Sequence, residues 1–317
     1  MTITFREKIK HYYRNNPNNP FMMFIVNSRK ALFEFKHYFN FCFLKIMGFK
    51  VLDNLPAINK STMRLDVVYC CIERDLDILE LSLKSVRNYL MHPINNIYVI
   101  GPKSKKMIDF CDRSNCIFIN ENEGFPFIKS DIFYEINLWG KKYDRSGWLF
   151  QQLLGLSADI FCEEDNYFIL DSDTLLTKPQ KFELNGSYIF NYADVVHQPY
   201  LTTYKSLFGN SATCPVSLTS HMMIFNKELL KNMRTSIKNN TGAEWYQSMI
   251  SLVDNDVHSF ISDYENYAQF VISQNKESCI LSYWYNESEF RSKLERFGQK
   301  EYSNKSKIKS ISFHHYN

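Results

Sequence analysis

Asp171 and Asp173, in "YFILDSDTLLTKP" over residues 167–179, are the side chains whose spacing most clearly suggests chemistry. Apolar residues run up to the two aspartates and resume after them, as happens where a buried strand gives out. In extended backbone, residues i and i+2 face the same way, so the two carboxylates converge. Without a positive partner they repel. A few oxygen ligands of this kind suit Mn²⁺ or Mg²⁺, which complete their shells with phosphate oxygens and water. A cation held there offsets the charge of a departing diphosphate, the task in glycosyl transfer from a nucleotide sugar and in nucleotidyl transfer. Two further Asp-x-Asp triplets have simpler readings. Asp75/Asp77 opens a helix, where acids favour the dipole, and Asp254/Asp256 lies in the polar stretch "VDNDVHS".

The flanking sequence supplies a sheet to carry the first pair. "LDVVYCC" (65–71), "NIYVIGP" (96–102) and "CIFINE" (116–121) read as strands, and "LDILELSLKSVRNYL" (76–90) and "KKMIDFCDRS" (105–114) as the helices between them. Strands alternating with helices at this spacing predict a parallel α/β sheet. Ligands of such sheets bind beyond the carboxyl ends of the strands. Ser146 is placed to cap a helix through "GWLFQQLLGLSADIF" (147–161), in which Trp148 reads as core, and "YFIL" is the next strand. Asp171 then stands at a carboxyl end. Neither G-x-G-x-x-G nor G-x-x-x-x-G-K-[ST] occurs, which argues against a dinucleotide fold or a P-loop nucleotidase.

The chain of 317 residues is long enough for one large or two small domains, and 45% hydrophobic and 16% aromatic content fits a globular protein. Its net charge of +3 is uneven: residues 1–60 carry ten Lys/Arg against three Asp/Glu, and the remainder is net acidic. That asymmetry points the first segment toward an anionic surface. The eight cysteines form no C-x-x-C, so reduced thiols in a cytoplasmic protein are expected. No run approaches the ~20 apolar residues of a membrane span, and "FMMFIV" (21–26) is shorter than a signal-peptide core of ~7–15. The Asn-x-Ser/Thr triplets at Asn185, Asn239 and Asn286 are then ordinary in an Asn-rich chain.

With "YFILDSDTLLTKP" following an α/β half and the helix "GWLFQQLLGL", residues 64–317 resemble GT-A-fold glycosyltransferases, more narrowly bacterial members associated with surface-polysaccharide synthesis. The resemblance implies an α/β fold with a Rossmann-like nucleotide-sugar-binding half and a mixed central sheet over residues 61–317. It leaves the extension over 1–60 unaccounted for, where "NNPNNP" (15–20) is a breaker and "SRKALFEFKHYFNFCFLKIMGFK" (28–50) reads as a helix ended by Gly48. It implies that Asp171 and Asp173 of the D-x-D, with Ser172 between them, hold Mn²⁺ or Mg²⁺ against the donor diphosphate. "SFHHYN" resembles the place where such enzymes supply a metal-binding histidine, which nominates His314 and His315. "SDYENYAQF" (262–270) resembles the acidic segment beyond the acceptor-side region, which nominates Asp263 and Glu265 as catalytic acids. "YCCIERD" (69–75) stands where these enzymes seat base and ribose, so Glu73 or Asp75 would accept from ribose hydroxyls.

Several of these residues also have a reading of their own. "SDYE" is an S-x-x-E capping box, with Ser262 as N-cap and Glu265 reaching back. In the strand-like "KIKSISFHHY", alternation puts His315 on the face of Ile311 and Phe313 and frees His314. Arg145, with Gln151 and Gln152 one to two turns on, is placed to approach the nucleotide or donor sugar, and its fork suits a phosphate. His221, just before "MMIFN", reads as satisfied polar packing or as an acceptor-side residue.

The expected function is metal-dependent transfer of a hexosyl or related sugar from a nucleotide-diphosphate sugar to a glycan or lipid-linked glycan acceptor. A nucleotidyltransferase is the nearest rival, though "CCIERDLD" lacks the Gly-rich basic loop such enzymes carry after the first strand. A non-catalytic glycan or membrane scaffold is the other. Nucleic acid is not an expected partner. The twelve aromatics and excess cations of residues 1–60 suit an element on an anionic cytoplasmic membrane face, or one packed on the rest of the protein.

Overall fold

A computed structural model describes residues 20–52, 59–138, 140–294 and 307–314. The chain divides into two compact units, Met1–Gly48 and Phe49–Asn317. In the first, helix α1 spans Pro20–Ile46. Gly48, at φ +79°, follows its end. The helix is already formed at Pro20, upstream of the expected start at Ser28. Leu32, Phe35, Phe39, Phe43 and Ile46, at three- and four-residue spacing, are all exposed. Among the described residues no helix is long and apolar enough to cross a membrane.

The second unit opens with strand β1 (Lys50–Leu52) and continues through β2 (Leu65–Cys70), α2 (Leu76–Tyr89), β3 (Ile94–Gly101), α3 (Lys105–Arg113) and β4 (Ile117–Asn120). A hairpin, β5 (Glu135–Leu138) and β6 (Lys141–Asp144), leads to α4 (Ser146–Gly155) and β7 (Asn166–Leu170). Then come β8 (Thr174–Leu176), β9 (Glu183–Leu184), β10 (Ser187–Tyr192), α5 (Gln198–Phe208) and β11 (Met222–Asn226). Helices α6 (Lys227–Thr241), α7 (Trp245–Ser251) and α8 (Asp263–Gln274) precede β12 (Cys279–Tyr283), β13 (Asn286–Phe290) and β14 (Ser310–His314). Strand β1 pairs parallel with β12 within this unit.

The central sheet has the order β11-β7-β2-β3-β4. Strands β7, β2, β3 and β4 run parallel and β11 is antiparallel at one edge, the expected mixed α/β sheet. Strand β2 is buried almost throughout, as a β-branched run covered on both faces should be. Gly101 ends β3 where no side chain fits: a Cβ there would lie 2.3 Å from the carbonyl oxygen of Cys71. At the amino end of the sheet, buried Asp66 takes the backbone N–H groups of Asn96, Glu163 and Glu164, which staples the loops there. The carboxyl end is left open.

Two smaller sheets complete the unit, β1-β12-β10-β9 and β13-β14-β8. The second matters for the site. Strand β8 resumes three residues after Asp171, and β14 pairs antiparallel with it, Ser312 opposite Thr174. The C-terminal strand is thereby brought to the aspartates from far along the chain.

Candidate active site

Backbone pairing assembles the site. Met222 of β11 pairs with Leu170 of β7, and one residue on, Asp171 N–H donates to the carbonyl of His221 at 2.9 Å. On the other side Phe313 N–H donates to the carbonyl of Asp173 at 2.9 Å. Each aspartate therefore receives a histidine beside it. His221 Nδ1 lies 2.6 Å from Asp171 Oδ2, and His314 Nδ1 lies 3.4 Å from Asp173 Oδ2. The two imidazole rings are 5.3 Å apart, and Trp284 stands 4.9 Å from His221. Tyr264 Oη donates to Asp171 Oδ1 at 2.9 Å, and Thr174 Oγ1 to Asp173 Oδ1 at 3.3 Å.

The electrostatics follow from these contacts. Burial opposes ionisation of Asp173, but the hydrogen bond from His314 and the charges of His221 and His314 outweigh it and hold its pKa below the usual range. Burial likewise opposes a charge on His221, yet Asp171, through its hydrogen bond and charge, raises the imidazole pKa. Among the described residues no three His, Cys, Asp or Glu groups already surround one point as a metal cage. The carboxylates are instead taken up by imidazoles. The donor set itself fits a divalent cation, since two carboxylates suit Mn²⁺ or Mg²⁺ and an adjoining imidazole is a reasonable third ligand for Mn²⁺.

These groups form one end of a cavity of about 610 Å³, a size that suits a small molecule or cofactor. Asp75, Arg145, Gln151, Gln152 and Ser172 also line it. Arg145 lies over the Trp148 ring at 4.7 Å, and its Nε is buried with no hydrogen-bond partner among the described residues. Trp148, expected in the core, is half-buried and faces the cavity because it backs that guanidinium. Ser146 is not the cap of α4. Its Oγ accepts from Tyr134 N–H, and Asp144 Oδ1 receives the Ser146 N–H instead.

Two expected positions, Glu73 and Glu265, fall outside the cavity lining. Glu73 does not line the cavity, and Asp75, which does, is engaged by Arg291 at 3.4 Å and Arg74 at 3.7 Å. Of the two residues expected at the ribose, Asp75 thus lines the cavity from within an ion-pair cluster at the start of α2. Glu265 is 2% exposed, and its Oε2 accepts from Leu218 N–H, Thr219 N–H and the Ser217 and Thr219 hydroxyls. Gln269 takes its other oxygen. Glu265 neither reaches back as a capping box nor faces the cavity: it holds the 217–219 turn. Ser262 does cap α8, through Glu265 N–H at 3.2 Å. His315 lies outside the described residues.

Asp263 differs from Glu265. It is 3% exposed, its N–H donates to Gln152 Oε1, and its Oδ2 sits against Gly155, where a Cβ would approach it to 3.0 Å. Burial, then the charge of Asp171, drives its pKa well up. It lies behind the aspartate pair and outside the cavity lining. Sequence reasoning missed Arg74, Glu121, Lys129 and Asp144, which also line the cavity, and gave His221 no place beside Asp171. Glu121 had a signal, since it follows a strand at its carboxyl end just as Asp171 does.

Residues 65–312 match the model of DUF6492, a family of unknown function. No curated protein sequence matches the chain. Among solved structures, the galactosyltransferase LgtC in complex with donor and acceptor sugar analogues is similar over 78% of this chain and 87% of its own, at 11% identity and a TM-score of 0.40. Mouse xyloside xylosyltransferase 1, in its apo form, is similar over 80% of this chain and 98% of its own, at 11% identity and a TM-score of 0.41.

Proposed function

The chain belongs to the DUF6492 family, and we propose that it is a metal-dependent glycosyltransferase that takes a sugar from a nucleotide diphosphate and passes it to a glycan. One observation carries the reading. Two aspartates, each with a histidine beside it, stand at the carboxyl end of a parallel sheet, on a cavity that also presents an arginine with a buried, unpartnered N–H. Such a cavity suits a diphosphate held between a cation and a guanidinium.

Asp171, Asp173 and His314 are the ligands proposed for Mn²⁺ or Mg²⁺, with His221 holding Asp171 in position. When bound, the cation neutralises charge on the diphosphate as it leaves. Arg145 binds the diphosphate oxygens, and Trp148 fixes the guanidinium plane. Tyr264 orients Asp171 through its hydroxyl. Gln151 and Gln152 line the donor side, and Gln152 is itself set by Asp263 N–H. In the reaction the bond from the sugar C1 to the diphosphate oxygen breaks and a bond from C1 to an acceptor hydroxyl oxygen forms, with loss of the hydroxyl proton.

The acceptor proposed is a lipid-linked or surface glycan met at an anionic membrane face. The support is α1, whose five exposed apolar side chains lie on one stripe beside Lys36 and Lys45. The full chain should float with anionic vesicles at low salt, and the Phe35→Ser/Phe39→Ser double variant should not. Equal flotation of both would remove the membrane from the proposal.

The central test is a screen of nucleotide sugars by ligand-observed NMR with and without Mn²⁺, followed by mass-spectrometric detection of transfer or slow donor hydrolysis. Manganese-dependent binding and turnover of a diphosphate sugar is the expected result. Preference for a nucleoside triphosphate over every diphosphate sugar would make the protein a nucleotidyltransferase instead.

A further inference from the structure

The far end of the cavity holds a carboxylate that the reaction does not use. Glu121 follows β4 directly, is 7% exposed and lines the cavity. Its backbone is fixed, since Glu121 N–H donates to the Gly101 carbonyl at 3.0 Å. Its side chain makes no hydrogen bond among the described residues. Burial raises its pKa, and the nearby charge of Lys129 offsets that only in part. The carboxylate thus borders the cavity with no donor from the described residues, and an N–H of a molecule entering there would satisfy it.

Its distance from the aspartates says which part of a ligand reaches it. Asp171 ends β7 and Glu121 ends β4, with β2 and β3 between them. Three inter-strand steps of ~4.8 Å put the two about 14 Å apart across the sheet edge. That is comparable with the span from the diphosphate of an extended nucleotide to the far edge of its base. Ile72 and Ile100 line the same cavity and offer apolar contact for a ring.

We infer that Glu121 reads the nucleobase of the donor and selects guanine. The inference rests on the glycosyl-transfer reading and names its donor class. Guanine presents two adjacent donors, N1–H and the 2-amino group, which a carboxylate accepts as two parallel N–H···O bonds. Uracil presents one N–H between two carbonyl oxygens, and those oxygens repel a carboxylate. Adenine and cytosine each present one amino group beside a ring nitrogen acceptor. Guanine is therefore the base whose edge satisfies both oxygens of Glu121.

The test uses the full chain with Mn²⁺ in every arm and measures affinity for GDP, IDP and UDP by calorimetry. IDP differs from GDP only in lacking the 2-amino group. The wild-type protein should bind GDP on the order of tenfold more tightly than IDP, and UDP more weakly still. In Glu121→Gln the advantage of GDP over IDP should fall to a few-fold or less, and UDP affinity should rise, because the amide carries no charge to repel the uracil oxygens and can donate to one of them. The GDP-to-IDP ratio in the wild-type protein needs no variant, so it decides the matter even if the substitution impairs folding. Equal affinity for GDP and IDP overturns the inference. So does a Glu121→Gln loss that is the same for all three nucleotides, which would mark Glu121 as a ribose ligand. Tight, manganese-dependent UDP binding untouched by Glu121→Gln overturns this inference alone. Absence of binding by any nucleoside diphosphate overturns the glycosyl-transfer reading with it.

Discussion

Two acidic pairs with the same i, i+2 spacing end up in opposite situations. At the end of β7, Asp171 and Asp173 are each met by an imidazole on the cavity side. At the start of α8, Asp263 and Glu265 diverge. Two residues on a helix are about 200° apart around the axis, so one carboxylate turns toward Gly155 and the other toward residues 217–219. Glu265 is saturated with donors, whereas Asp263 is met by backbone N–H groups, that of Tyr264 on Oδ1 among them, and feels the charge of Asp171. The spacing of two acids has chemical meaning only once the backbone that carries them is known.

The largest expected difference between the pairs is in turnover. Asp173→Asn should lower manganese-dependent donor turnover about 10²-fold or more, the scale on which several kcal/mol of charge stabilisation is lost. Glu265→Gln should leave turnover per folded molecule within a few-fold of wild type. Steady-state rates for both variants, with Mn²⁺ titrated, check this. Equal losses would mean that the turn held by Glu265 is part of the donor site.

The next difference is in stability. Glu265→Gln replaces an acceptor of charge-assisted bonds by an amide that must turn an N–H₂ toward donors. A loss of about 1.5–3 kcal/mol is expected, the usual worth of hydrogen bonds to a charged group. Urea unfolding of the metal-free protein measures it. A change below about 0.5 kcal/mol would show that the network at residues 217–219 survives without the charge.

How much of this was legible in the sequence follows the same division. Strands β2, β3, β4 and β7 and helices α2 and α3 were readable because each carries its own period and its own breakers. The position of Asp171 at a strand end followed from them. His221 was not readable as its neighbour, because the pairing that brings them together spans fifty residues and depends on β11 lying antiparallel at the edge. Glu265 shows the opposite failure. An S-x-x-E pattern is a local rule, and four donors from the 217–219 turn outcompeted the single backbone N–H that a capping box offers. Trp148 was read as core, and it does pack on Tyr134 and Phe260, but the Arg145 guanidinium that also lies over its ring is a contact the sequence pattern does not show.

Ser262 sharpens the view of the helix start. Its Oγ accepts from Glu265 N–H, the ordinary N-cap bond, with no return bond from the Glu265 side chain. Ser262→Ala should therefore cost ~1 kcal/mol, as for a simple cap, and leave Mn²⁺ affinity unchanged. Calorimetric titration with Mn²⁺ beside thermal melts separates the two. Weakened metal binding would show that the cap also sets Tyr264, and through it Asp171.

The smallest expected effect is one of sign. Asp263→Asn keeps the side-chain shape, and its oxygen can still accept from Tyr264 N–H, as Asp263 Oδ1 does at 2.8 Å. It removes a buried charge that burial and Asp171 both disfavour. Because the folded-state pKa of Asp263 lies above its unfolded value, the folded state binds more protons in that window. The contribution of Asp263 to stability is then full below the unfolded pKa and is lost as pH rises through the folded one. The variant has no such loss. Melting temperatures of the metal-free proteins should coincide near pH 4 and separate toward pH 8, with Asp263→Asn modestly the more stable. A variant that is less stable at pH 8 than at pH 4, relative to wild type, would mean that the Asp263 carboxylate is ionised and satisfied. The two pairs would then differ in which partners they have rather than in whether they have any.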